Sequence, residues 1–189
     1  MKVIQLHQEE KQLIMLAVEN NRQAQQQIYA KFSSKMLSVC RQYIKDIHHA
    51  EDVMITGFMK VFTNLKNFEH KGSFEGWIRR IMMYECIDFI RVKKNNFNHQ
   101  DIDDVTVSEN ESVYEMEDFS VDDIQNMIDN LPDGYKMVFN LYAIEGYKHQ
   151  EIAEMLKISE GTSKSQLSHA RKLLQQQITE LKNKLNETK

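Results

Sequence analysis

Turn chemistry is scarce in this chain: six glycines and one proline stand among 189 residues, where the pair usually contributes ~12%. A sandwich or barrel needs a turn every few residues, so many-stranded architectures are excluded and a mostly helical protein is expected. Cysteine is equally sparse. Cys40 and Cys86 stand far apart with no C-x-x-C spacing, which argues against a disulfide scaffold, a redox motif or a zinc finger. No stretch of eighteen residues is free of charge, and the N-terminus runs into His-Gln-Glu-Glu after six residues, so neither a signal peptide nor a membrane insertion is expected. A reduced cytoplasmic protein fits these absences. Enzymatic signatures are missing too. No glycine pair makes G-x-G or a phosphate loop, the seven histidines form no H-E-x-x-H, and no Ser or Cys has an elbow signature. No catalytic residue, metal or cofactor is therefore expected.

What is present is organised in blocks. Ten acids and no Lys or Arg fall between Asp101 and Asp123, so a net charge of −4 hides −4 + 10 = +6 on the rest of the chain. From Glu9 to Lys94 apolar residues recur at helical spacing, with Leu13, Leu16, Ala17, then Ile28, Phe32, Met36 and Val39 as buried stripes. A third helix is expected from about His49 to Leu65, because Met54, Phe58, Val61, Phe62 and Leu65 share one face. The loop Asn67–Ser73 and a fourth helix over Phe74–Lys94 complete an N-terminal helical bundle, residues 1–95. Residues 96–121 are polar, acidic and aperiodic, and they lack the apolar surface to offset the entropy of ordering. They are read as a flexible acidic linker. In the C-terminal domain, residues 122–189, helices are expected over 122–131, Pro132–Ile144, His149–Leu156 and Glu160 to about Leu185, with Ser159 capping the last.

The stretch HQEIAEMLKISEGTSKSQLSHARKLL reads as a helix-turn-helix. Ile152, Ala153 and Leu156 face inward, a tight turn holds Ile158, and Leu167, Ala170 and Leu174 lie on one face of the second helix. Ser165, Ser168, His169 and Lys172 then point away, flanked by Lys164 and Arg171. Lys and Arg neutralise phosphate, whereas Ser, His and especially Gln166 can hydrogen-bond base edges in a major groove.

Two further constellations stand in the first block. Between Phe58 and Phe97, 40 residues hold 8 of the 17 aromatics and eight Lys or Arg against four acids, a pairing that suits unstacked bases. Within it Arg80, Tyr84, Asp88 and Arg91 share a polar face of the fourth helix, a candidate for DNA contact. On the third helix Asp52, Ile55 and Met59 occupy a side away from the inward stripe. An apolar strip beside an acid reads as a partner-binding face.

These segments resemble the extracytoplasmic-function group of bacterial RNA polymerase sigma factors over nearly the whole chain. The residues YAKFSSKMLSVCRQYIKD, AEDV…FMKVF and GSFEGWIRRI…IDFIRVKK are similar to sigma region two; NLPDGYKMVFNLYAIEGYKHQEIAEMLKISEGTSKSQLSHARKLL is similar to region four. The resemblance implies core RNA polymerase as partner, through the beta-prime clamp and the beta subunit, with Glu51, Asp52, Ile55 and Met59 on the clamp-binding helix. It implies that Phe68, Lys71, Ser73, Phe74, Trp77, Arg80, Tyr84, Asp88 and Arg91 meet the minus-ten element, the loop capturing a flipped base and the helix reading and melting DNA. It further implies that Lys164, Ser165, Gln166, Ser168, His169, Arg171 and Lys172 meet the duplex minus-thirty-five element, and that any anti-sigma factor is a separate protein. Four positions depart from the family pattern: Ile55 replaces a polar residue, commonly Gln, Tyr84 an Asn, Gln166 an Arg and Ser163 a Val. Two alternatives stay open from the residues: a stand-alone helix-turn-helix regulator, and a helical interaction protein that never touches DNA.

Overall fold

The computed structural model describes residues 2–96 and 119–187; the linker expected over 96–121 falls almost wholly outside the described residues. No strand occurs among the described residues. The chain divides into two compact units, Met1–Phe89 and Ile90–Lys189.

In the first unit α1 (Lys2–Val18) and α3 (Ile47–Asn64) both pack on α2 (Arg22–Tyr43). Asn20, left-handed at φ 62°, follows the end of α1, and Asn21 caps α2, its side chain accepting from the Ala24 N–H at 3.0 Å, a cap that satisfies an orphan donor of the first turn. Ile28, Phe32, Met36 and Val39 are buried as their spacing predicts, each apolar side chain contributing ~1.5–3 kcal/mol. The stripe expected on α1 is corrected: Ile14 and Ala17 are buried, whereas Leu16 is exposed. The run Leu13–Val18 is apolar on every side, so periodicity could not choose its inward face; packing against α2 does.

Asp46 caps α3, accepting from the His49 N–H at 3.0 Å, and this bond holds its carboxyl below the usual aspartate range. The helix therefore starts at Ile47, two residues earlier than expected, and Leu65–Asn67 continue it as a 3-10 turn. Helix α4 (Phe74–Asn96) crosses close to α3 at Gly57, where an added Cβ would run into the buried Met82 Sδ. Lys60 pairs there with the buried Glu85. Cys40 and Cys86, remote in sequence, face each other across α2 and α4; both are fully buried and free, and the neighbouring thiol and burial push Cys86 up.

In the second unit α5 (Val121–Asp129), α6 (Asp133–Phe139) and α7 (His149–Leu156) each pack on α8 (Glu160–Glu187). Ser120 and Asp123 form a reciprocal capping box. Pro132 stands at the N-cap of α6, one residue before the first helical position, and α6 runs into a π-helical turn over Asn140–Ile144. Lys136 and Asp129 form a buried ion pair at 3.7 Å behind α6.

Candidate nucleic-acid and partner interfaces

The inward stripe of α3 leaves its other side bare. Asp52 is exposed, and Ile55 and Met59 are 49% and 67% exposed. The structure adds Ile47, exposed and two turns before Ile55, so Ile47, Glu51, Ile55 and Met59 follow one another every four residues along one line. Glu51 is half-buried beside His48, with 3.8 Å between carboxylate and Nδ1. Ile47 lies before the helix start that periodicity alone predicts, and the Asp46 cap is the sequence signal that includes it.

The loop between the 3-10 turn and α4 carries two left-handed residues, His70 at φ 56° and Gly72 at φ 83°. Beneath it Phe68, Phe74 and Trp77 form one cluster: ring centres are 5.1 Å apart for Phe68 and Phe74, 5.4 Å for Phe68 and Trp77, and 5.9 Å for Phe74 and Trp77. Phe68 and Phe74 are buried, while Trp77 is half-buried. The first two form the floor of the loop. Burial of the Phe32 ring against Phe74 at 5.7 Å holds that floor to α2. Lys71 and Ser73 are exposed; Lys71 pairs with Glu69 at 2.6 Å, and the Ser73 hydroxyl accepts from the Gly76 N–H at 2.9 Å to start α4. Along α4 the residues Arg80, Tyr84 and Asp88 are exposed on one stripe and Arg91 is half-buried.

In the second unit α7 and α8 form the helix-turn-helix. Lys157 ends α7 in the left-handed region at φ 57°, and Ser159 caps α8, its hydroxyl accepting from the Thr162 N–H at 2.9 Å. Ile152, Leu167 and Ala170 are buried between the two. His149 joins them across the turn: its ring stacks on Tyr142 at 4.6 Å and its Nδ1 lies 2.9 Å from the hydroxyl of the fully buried Ser163. The Arg171 guanidinium lies 5.7 Å from the centre of the same Tyr142 ring.

Lys164, Ser165, Ser168 and Arg171 are exposed on α8, and Lys172 is half-buried. Two residues of this helix pack against the start of α6. Gln166 is half-buried with its amide over Gly134, where an added Cβ would lie 3.3 Å from its Nε2. His169 is half-buried and stacked on Tyr135 at 5.5 Å. Gly134 and Tyr135 at the start of α6 occupy the flank of α8 that helical spacing alone left open. Lys164 hydrogen-bonds Glu160 at 2.7 Å, which holds that carboxyl below the usual glutamate range. No group of His, Cys, Asp and Glu suited to a metal ion occurs among the described residues, and no helix there is long and apolar enough to cross a membrane.

Comparison with known proteins accounts for both units. The family model for sigma-70 region 2 matches residues 28–96, and that for sigma-70 region 4 matches residues 121–174. The chain is 29% identical over 163 residues to the ECF RNA polymerase sigma factor SigW of Bacillus subtilis, covering 79% of this chain and 86% of that one. It is 30% identical over 132 residues to the ECF sigma factor SigE of Mycolicibacterium smegmatis, covering 67% of this chain and 51% of the relative. Among solved structures, the sigma factor RpoE of Bartonella quintana, bound to the anti-sigma factor NepR, shares the fold with a TM-score of 0.53 at 18% identity, over 82% of this chain and 96% of that one. Two sigma regions in family order, on a helical fold with an open helix-turn-helix, place the chain in the extracytoplasmic-function group of the sigma-70 family, the promoter-specificity subunits of RNA polymerase in transcription initiation.

Proposed function

We propose that three surfaces of this sigma factor divide the work of initiation. The bare side of α3, with Ile47, Glu51, Asp52, Ile55 and Met59, binds the beta-prime clamp of core polymerase. The loop bearing Lys71 and Ser73, with Trp77 and the exposed stripe of α4, holds the melted minus-ten strand. Lys164, Ser165, Ser168, Arg171 and Lys172 on α8 meet the minus-thirty-five duplex. The observation that carries this reading is the exposed apolar line on α3: a monomer gains nothing by wetting Ile47, Ile55 and Met59 on one side of a helix.

The chain acts where the polymerase is, in the cytoplasm, as a non-catalytic subunit, and a separate anti-sigma factor is the expected class of regulator. The deciding experiment is binding of the purified chain to core polymerase beside an Asp52→Arg, Ile55→Asp variant whose folding is checked by circular dichroism. Binding by the wild type and its loss in the folded variant supports the assignment of the α3 face. Equal binding by both overturns that assignment, and unaided tight binding to a duplex operator without core binding would favour a stand-alone regulator.

A further inference from the structure

We propose that Tyr142 is a positioning residue for the minus-thirty-five contact: its ring holds the Arg171 guanidinium of α8 ready for one phosphate of the duplex, and is itself held from the interior by His149 and Ser163. The inference rests on the assignment of α8 to the minus-thirty-five element and specifies how one of its phosphate contacts is prepared.

The four residues form a clasp that leaves α8 at the buried Ser163 and returns to it at the exposed Arg171, ~12 Å further along the helix axis. Ser163 has no exposed surface, and a buried hydroxyl is costly unless it is bonded; His149 Nδ1 lies 2.9 Å from it. The same imidazole lies against Tyr142, with ring centres 4.6 Å apart and planes 20° from parallel. The Arg171 guanidinium is 5.7 Å from the centre of the Tyr142 ring, within the range of a cation–π contact. An uncommon backbone feature places that ring. Asn140–Ile144 form a π-helical turn, closed by the Glu145 N–H on the Asn140 carbonyl at 3.0 Å, and the wider turn breaks the register of α6. Leu141 is buried, whereas Ile144, which an α-helix would bring back above it, is 40% exposed. Tyr142, next in sequence to Leu141, meets the first residue of α7 and an exposed residue of α8.

What the ring supplies is preorganisation. A long side chain on the surface of a helix samples many rotamers, and binding a phosphate with it carries the entropic cost of fixing them. Held over Tyr142, Arg171 has lost part of that freedom before DNA arrives. The ring engages the charge and leaves the N–H donors to the phosphate, which a guanidinium binds in fork geometry. Lys164 shows the contrary arrangement, its ammonium bonded to Glu160 at 2.7 Å. Phosphates carry no sequence, so the clasp strengthens the grip on the duplex equally at every sequence and reads no base.

The test uses the full chain assembled with core polymerase and titrates salt on promoter fragments with a duplex minus-thirty-five segment. Tyr142→Phe keeps the ring and should bind as the wild type does. Tyr142→Leu keeps apolar bulk without a ring and should lower affinity about three- to tenfold at every sequence, the cost of fixing one long side chain. The slope of log affinity against log salt should stay unchanged, because the charge remains. The decisive reading is the pair of variants. With Arg171→Ala already present, Tyr142→Leu should cost nothing further, whereas a ring that only braces the domain would add its loss to that of Arg171→Ala. Circular dichroism and thermal melts check the fold of each variant, and the double variant keeps the outcome decisive if Tyr142→Leu lowers the melting temperature. The clasp is overturned if Tyr142→Leu binds as the wild type does, if the two losses add, or if Tyr142→Phe loses as much as Tyr142→Leu. Its failure is distinguishable from that of the α8 assignment. Weaker binding by Arg171→Ala or Lys172→Ala with no effect of Tyr142→Leu sinks the clasp alone, whereas indifference to Lys164→Ala, Arg171→Ala and Lys172→Ala combined sinks the minus-thirty-five assignment of α8 and the clasp with it.

Discussion

His149 Nδ1 and the Ser163 hydroxyl, 2.9 Å apart, tie the first residue of α7 to the buried face of α8. The bond fixes how the exposed face of α8 is presented, because Ser163 is wholly enclosed and the His149 ring is held against Tyr142.

Ser163→Ala should therefore destabilise the second unit by ~1 kcal/mol, the usual net worth of a hydrogen bond whose partner is left half-buried. His149→Ala removes the stack as well and should cost ~0.5–1.5 kcal/mol more. Urea unfolding of the variants measures both. Equal stability of Ser163→Ala and the wild type would show that the contact is incidental.

A second prediction concerns the crossing of α3 and α4. Gly57 faces Met82, which is buried with no exposed surface, so a methyl group there has to displace a side chain that is packed on all sides. Gly57→Ala should cost ~1–3 kcal/mol by overpacking, which lowers the melting temperature of a unit of this size by about 4–8 °C per kcal/mol. Combined with Met82→Ala it should cost less than the sum of the two single losses, and differential scanning calorimetry of the single and double variants would show whether it does.

How far these features could be read in advance depends on what each one rests on. The inward stripe of α3 was legible because Met54, Phe58, Val61 and Leu65 recur at helical spacing, and their burial follows. Leu16 misled because Leu13–Val18 is apolar on every side. The packing of Gln166 and His169 was not legible for another reason: helical spacing predicts which face of α8 its own partner helix leaves bare, but Gly134 and Tyr135 arrive from α6, more than thirty residues away in sequence. The burial of Phe68 and Phe74 beneath the loop was not legible, because it comes from their packing on each other and of Phe74 on Phe32 of α2. Cys40 and Cys86 meet only through the packing of α2 and α4, which no spacing rule encodes.

That meeting has a testable consequence. Both thiols are free and fully buried, so reagents in the solvent do not reach them in the folded chain, and its neighbour together with burial pushes the Cys86 thiol up. A thiol reagent such as dithionitrobenzoate should leave the native protein unlabelled for as long as it stays folded and titrate two thiols in denaturant. Rapid native labelling would contradict the packing of α2 on α4.

The cap of α5 should respond to acid. The Ser120 hydroxyl and backbone N–H both bond the Asp123 carboxylate and hold it below the usual value of 3.8. A carboxyl lowered on folding adds stability that is fully present above the unfolded value and is lost as pH falls through the lowered folded value. The helix should thus keep its cap at pH 5 and lose it progressively below about 3.8, and Asp123→Asn should remove this part of the acid dependence. Circular dichroism of the two proteins between pH 5 and pH 2 tests it, with identical acid profiles counting against the box.

The basic face of α8 offers a last prediction, because its charges are not equally available. Lys164 is engaged by Glu160 at 2.7 Å, and the lowered carboxyl of Glu160 shows that the pair favours the ionised acid. Arg171 instead lies over the Tyr142 ring, which orients the guanidinium without cancelling its charge. A phosphate approaching α8 therefore meets Arg171 as a full charge and Lys164 as a shared one. Arg171→Ala should weaken binding of the holoenzyme to minus-thirty-five duplex at every sequence and reduce the slope of log affinity against log salt by about 0.9, the value for one phosphate contact. Lys164→Ala should change the slope by less. Glu160→Gln should act in the opposite direction, releasing Lys164 and removing an acid from the DNA side, so that affinity rises several-fold at low salt and converges on the wild type as salt screens the surface. Salt titrations of the three variants measure these slopes. A larger change for Lys164→Ala than for Arg171→Ala, or weaker binding by Glu160→Gln, would mean that the ion pair itself is what the DNA recognises.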